Sequence, residues 1–150
     1  RIDFVDSLKA SDTLLKDIEM IPLMPDMVFR TVYFQYRSSS PDAEGMRKIQ
    51  EAIVLLQDNP RIGIELNAHT DARGGAAYNK KLSQERADAL GKYIASKGID
   101  PKRIVTKGYG EEKLFNNCSD GKACSEELHA QNRRAEIKIV RLEADGSMPK

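Results

Sequence analysis

Across residues 61–69 the chain alternates with a period of two. Ile62, Ile64, Leu66 and Ala68 fall on one side; Gly63, Glu65, Asn67 and His69 fall on the other. That spacing predicts a strand with one apolar face, covered on that side only. Upstream, 28–36 is rich in β-branched and aromatic residues and reads as a first strand. Ser40-Pro41 then supplies an N-cap and a proline for the first helical position. Met46, Ile49, Ile53 and Leu56 follow at helical spacing as far as Asn59-Pro60, while Arg47, Lys48 and Glu51 point elsewhere. After Gly74-Gly75 a second helix runs to about Ser96 and ends at Gly98. Residues 103–107 read as a short third strand, a polar loop follows, and 135–142 reads as the last strand.

The resulting order is β-α-β-α-β-loop-β. One-sided helices and a one-sided strand bury each other in two layers. The expectation is therefore an α/β two-layer sandwich (α+β), with a four-stranded sheet and both helices on one face. Residues 1–27 carry only Leu8, Leu14, Leu15 and Ile18 as a hint of a helix, broken by Pro22 and Pro25. They read as a connector from an upstream region, 28–142 as the domain, and 143–150 as a polar, flexible tail. The chain opens on Arg1 rather than Met and is expected to be part of a longer polypeptide, with any membrane anchor outside it.

Lys and Arg total 24 against 23 Asp and Glu, a balance that gives nucleic acid or an anionic membrane surface no purchase. No run approaches the roughly 18 apolar residues of a membrane span. The two cysteines, Cys118 and Cys124, sit in one polar segment on either side of Asp120-Gly121, a turn signal. At that separation they can close a small disulfide loop, which implies an oxidising compartment. A zinc site is a poor alternative, because His129 is the one histidine nearby.

One position breaks the apolar logic. Leu82, Leu90, Tyr93 and Ile94 form the stripe of the second helix, and Arg86 lies four residues from both leucines, on the same face. An arginine on the core side calls for an acidic partner, unless it snorkels at the edge of the stripe. The preceding strand ends in His69-Thr70-Asp71, and Asp71 can reach the same cleft. Asp71 and Arg86 could pair with each other structurally. Held apart, they would make a receptor for a zwitterion, carboxylate to ammonium and guanidinium fork to carboxylate.

Ile64-Glu-Leu-Asn-Ala-His-Thr-Asp71, with Gly74, Asn79, Leu82-Ser83 and Arg86-Ala87, resembles the signature of OmpA-like C-terminal domains. Ile104 to Gly110, ending Gly108-Tyr109-Gly110, and Asn132-Arg-Arg-Ala-Glu136 match the same family in the same order. The resemblance covers about 28–142. It implies a mixed sheet in spatial order 1-4-2-3 with the last strand antiparallel to its neighbours. It also implies non-covalent binding of peptidoglycan through the meso-diaminopimelate of the stem peptide, tethering an outer membrane to the wall from the periplasm. On that reading Asp71 takes the ammonium and Arg86 the carboxylate. Thr70 and Asn79 line the site or order its loop, and Arg133 reaches peptide carboxylates. The partner is diaminopimelate-type peptidoglycan, with no cofactor and no direct membrane insertion by this segment. Two departures stand out: Phe34-Gln35-Tyr36 replaces the family's Phe-Asp, and the cysteine loop is an addition.

Catalysis finds little support. His69 and Asp71 lack a third member other than His129, no Ser or Cys sits in a nucleophile elbow, and Gly74-Gly75 lacks the phosphate-loop pattern. His69 reads as structural, its ring hydrogen-bonding the loop that presents Asp71. The rival function is a protein-docking module on the same fold.

Overall fold

The computed structural model describes residues 28–36, 38–119 and 121–149. The expected connector over 1–27, with its leucine pattern, lies outside the described residues, as does Asp120. Four strands, β1 (Val28–Tyr33), β2 (Ile62–His69), β3 (Ile104–Gly108) and β4 (Arg134–Arg141), form one sheet in the order β1-β4-β2-β3. β4 runs antiparallel to both β1 and β2, and β3 runs parallel to β2. The sheet is mixed, in the order expected from the family resemblance. β1 and β2 therefore end at the same edge of the sheet, where β4 begins.

Two long helices, α1 (Ala43–Asp58) and α2 (Ala76–Ser96), cover one face. Ile64 pairs with Ile139, Leu66 with Ile137 and Ala68 with Ala135, so the apolar residues of the two central strands lie side by side. Ile49, Ala52, Ile53 and Leu56 of α1, with Ala87, Leu90 and Ile94 of α2, close over them as one core. Helix α1 starts two residues later than Ser40-Pro41 suggested. Asp42 is the N-cap, its carboxylate accepting from the Gly45 N–H at 2.7 Å, while Pro41 bridges back to Phe34. β1 likewise closes at Tyr33, with Phe34 continuing as a single bridge.

Helix α2 approaches β3 closely enough to exclude any side chain at Gly108. A Cβ there would lie 2.3 Å from the Gln84 backbone nitrogen. Polar side chains finish the contact: Gly108 N–H donates to Gln84 Oε1 at 3.0 Å and Gly110 N–H to Ser83 Oγ at 2.8 Å.

The second sheet face is more covered than a one-sided strand implies. Gly63, Asn67 and His69 are all buried. Met148 and Leu142, from beyond β4, close over Gly63, and the His69 ring stacks on Tyr109 with centroids 5.3 Å apart. Arg134 and Glu136 pair at 3.0 Å on β4, both buried, with Arg134 over the Phe115 ring. This face is polar because it buries ion pairs and stacked rings under the loop that follows β3.

That loop also holds an unexpected third helix, α3 (Glu126–Asn132). Ser125 caps it, with Glu126 and Glu127 in its first turn. Cys118 and Cys124 are disulfide-bonded just before it, Cα atoms 6.1 Å apart. Asn116 and Asn132 bind the cysteine loop to the helix: Asn132 Nδ2 donates to Asn116 Oδ1 at 2.9 Å, and Asn116 Nδ2 to Leu128 O at 2.8 Å.

Candidate functional site

A cleft opens where β1 and β2 end and β4 begins. Tyr36, Thr70, Asp71, Arg73, Gly74, Tyr78, Asn79, Leu82, Arg86 and Arg133 line it. All five residues singled out in the sequence (Thr70, Asp71, Asn79, Arg86 and Arg133) are among them.

Asp71 lies two residues beyond the end of β2, after Thr70. Its Oδ1 accepts from the Arg73 backbone N–H at 3.0 Å, an Asx-type turn that reverses the chain, and Gly74 completes the reversal at φ +92°. Its Oδ2 accepts from Arg73 Nη2 at 2.9 Å and from Arg133 Nη1 at 3.2 Å. Burial pushes the Asp71 carboxyl up. The hydrogen bonds from Arg73 and Arg133 more than offset this and hold it below the ordinary carboxylate value.

Arg86 differs from what its place on the stripe suggested. It is fully buried, yet no carboxylate among the described residues lies at ion-pair distance. Its acceptors are backbone carbonyls: Nε donates to Ser38 O at 2.8 Å, Nη1 to His69 O at 3.3 Å and Nη2 to Gln35 O at 3.3 Å. The guanidinium also lies 4.8 Å from the Phe34 ring centroid. Two free strand ends present outward-facing carbonyls, and a five-donor fork satisfies them while remaining cationic. Burial, then the neighbouring Arg133, push Arg86 down to about 10, so it is still charged at neutral pH. With three donors committed to carbonyls, two remain for the cleft.

Asn79 orders the loop. Its Nδ2 donates to Arg73 O at 3.0 Å, Asp71 O at 3.3 Å and Glu111 Oε1 at 3.1 Å. The Thr70 hydroxyl donates to Asp71 O at 2.9 Å. Arg133 is anchored by Nε to Phe34 O at 3.0 Å and extends Nη2 to Glu126 of α3 at 2.9 Å. His69 sends only its carbonyl to the cleft's arginine; its ring belongs to the Tyr109 stack.

Three participants were not singled out in the sequence: Arg73, Tyr36 and Glu126. The Arg73 guanidinium bridges Asp71 and Glu126, the latter at 3.0 Å, and lies 4.1 Å from the Tyr36 ring centroid. Arg73 stands two residues after Asp71, the Asx-turn position, a signal that could have found it. The Ser125-Glu126-Glu127 cap signal would have found α3 and with it Glu126. Among the described residues no three His, Cys, Asp or Glu side chains converge as a metal site, and no helix is long and apolar enough to cross a membrane.

One mixed sheet with its two long helices on one face and a charged cleft at its strand tips defines a small α+β domain. Residues 33–127 match the OmpA family, and the chain belongs to it. It is 35% identical over 120 residues to outer membrane protein A of Bordetella avium, spanning 79% of this chain and 59% of that protein. To the peptidoglycan-associated lipoprotein of Pseudomonas aeruginosa it is 36% identical over 109 residues, 72% of this chain and 61% of the relative. The chain thus spans about three fifths of the length of these two relatives. Among solved structures, the peptidoglycan-associated lipoprotein of Burkholderia pseudomallei superposes with a TM-score of 0.67 at 29% identity, covering 74% of this chain and 90% of that one.

Proposed function

We propose that this domain binds peptidoglycan non-covalently, by gripping the zwitterionic end of the stem-peptide diaminopimelate, and that it performs no catalysis. The observation that carries the reading is the pairing of chemistries in one cleft. Asp71 is a buried anion, and Arg86 is a buried cation with two donors to spare and no carboxylate at ion-pair distance among the described residues. An ammonium and a carboxylate on one carbon answer both at once. Membership of the OmpA family, and likeness to proteins named for association with peptidoglycan, support the same ligand. The setting is the periplasm, in a protein associated with the outer membrane, and the disulfide suits an oxidising compartment. On this reading Arg133, which is fixed between Asp71 and Glu126, meets a further carboxylate of the stem peptide.

The test is co-sedimentation with purified diaminopimelate-type wall, alongside wall carrying lysine instead. Wild type should sediment with the first and weakly with the second. Asp71→Ala and Arg86→Ala, shown folded by circular dichroism, should each lose about 30-fold or more in affinity, the usual result of truncating one partner of a desolvated charge pair. Folded mutants that sediment like wild type refute the site. A wild type that ignores both walls points instead to a protein-docking module.

A further inference from the structure

We propose that Arg73 stands in for the ligand's ammonium in the free protein, so that every ligand must first displace a cation that belongs to the chain itself. This rests on the binding reading above.

Asp71 Oδ2 carries two arginines, and they are held differently. Arg133 is fastened by a backbone carbonyl, Phe34 O at 3.0 Å, and its side chain is 7% exposed. The Arg73 side chain is 33% exposed. Among the described residues it is held by side chains alone: Asp71, Glu126 and the face of Tyr36. Glu126 is itself 58% exposed, so Arg73 can leave Asp71 while keeping a carboxylate partner. The cleft needs such a movement. The place beside Asp71 Oδ2 that a ligand ammonium would take is held by Arg73 Nη2 at 2.9 Å. Of the two arginines on Asp71, Arg73 is the one whose guanidinium has no backbone carbonyl to hold it among the described residues.

Exchanging a guanidinium for an ammonium on Asp71 leaves the charge balance unchanged. Part of what the ammonium gains on Asp71 therefore goes into releasing Arg73, and the ligand carboxylate on Arg86 adds affinity that meets no such competitor. Because Arg73 opposes every amine equally, it does not choose between ligands. It lowers both affinities, so that a plain amine falls below useful binding and a zwitterion remains above it.

The experiment is calorimetric titration of wild type, Arg73→Ala and Arg73→Lys with two soluble muropeptides, one carrying diaminopimelate and one carrying lysine. Arg73→Ala should bind both roughly three- to tenfold more tightly, as expected on removing one partly exposed ion-pair competitor. The ratio between the two ligands should stay as in wild type, and Arg73→Lys should behave like wild type. Without ligand, the Asp71 carboxyl followed by carbon NMR should titrate higher in Arg73→Ala. Unchanged or weaker binding by Arg73→Ala overturns the inference; weaker binding would make Arg73 a ligand contact. In that case wild type still binds the diaminopimelate peptide, and the functional reading survives. A wild type that binds neither peptide overturns both.

Discussion

Asp71 is ion-paired to Arg133 at 3.2 Å, not to Arg86, although all three side chains line the same cleft. The anion and the buried cation of α2 thus remain chemically separate. Arg86 acts twice: it ties the β1–α1 loop to the end of β2 through carbonyls, and it keeps a positive charge at the cleft.

Removing that side chain should therefore be felt in the fold as well as in binding. Arg86→Ala takes a donor from three carbonyls, of which Gln35 O keeps the Ser38 N–H, and leaves a cavity the size of a long side chain. We expect a loss of about 2–5 kcal/mol in urea unfolding. Arg86→Lys keeps the charge but cannot reach all three acceptors, so its midpoint should fall between those of Ala and wild type, with binding still poor.

The Asp71 pairing should appear in the pH dependence of stability. Its folded pKa lies below the unfolded value of about 3.9. The stabilisation is then complete above the unfolded value and disappears as pH falls through the folded one. Melting wild type and Asp71→Asn from pH 7 downwards should show a gap that narrows below about pH 4. A gap that stays constant into strong acid would contradict the pairing.

Gly108 offers a test of packing remote from any charge. A methyl group there meets the backbone of Gln84 at 2.3 Å for nitrogen and 2.6 Å for Cα, so the helix must move, not a side chain. Gly108→Ala should cost about 1–3 kcal/mol. Because α2 carries Asn79 and Arg86, peptide binding should weaken along with the melting temperature.

The Cys118–Cys124 bond closes a short loop, and its removal should cost about 2 kcal/mol by chain entropy. Ser125, the cap of α3, follows Cys124 directly, so reduction should also loosen Glu126 against Arg73 and Arg133. Reducing agent should lower the melting temperature by several degrees, and a thiol reagent should label both positions only after reduction.

Much of this was legible in the sequence. The alternation at 62–69 and the stripe of 49, 53 and 56 are long, periodic and dictated by burial, so β2 and α1 stand where the pattern put them. Arg86 was visible as a charge on an apolar face, but its partners were not. Carbonyls from Gln35, Ser38 and His69 carry no side-chain signature, and an acid was the natural guess. Helix α3 was missed because its seven residues include only Leu128 and Ala130 as apolar ones and bury His129 and Asn132 instead, so they show no stripe. The cover over Gly63 and His69 comes from residues distant in sequence, Leu142, Met148 and Tyr109, which periodicity within one strand cannot register.

The common direction of β1 and β2 has a mechanical side. Val28 lies at the end of the sheet opposite the cleft, opposite Lys138, while Tyr33 pairs with Arg134 beside it. If a ligand is gripped by Asp71 and Arg86 as proposed, tension that enters through residue 28 runs along the strands. The ladder bonds between β1 and β4 are perpendicular to that pull. They are strained in shear, all five paired positions together, instead of being unzipped one after another. An edge strand that would peel away easily under a sideways tug becomes, in this orientation, a grip that yields only when the whole strand slides.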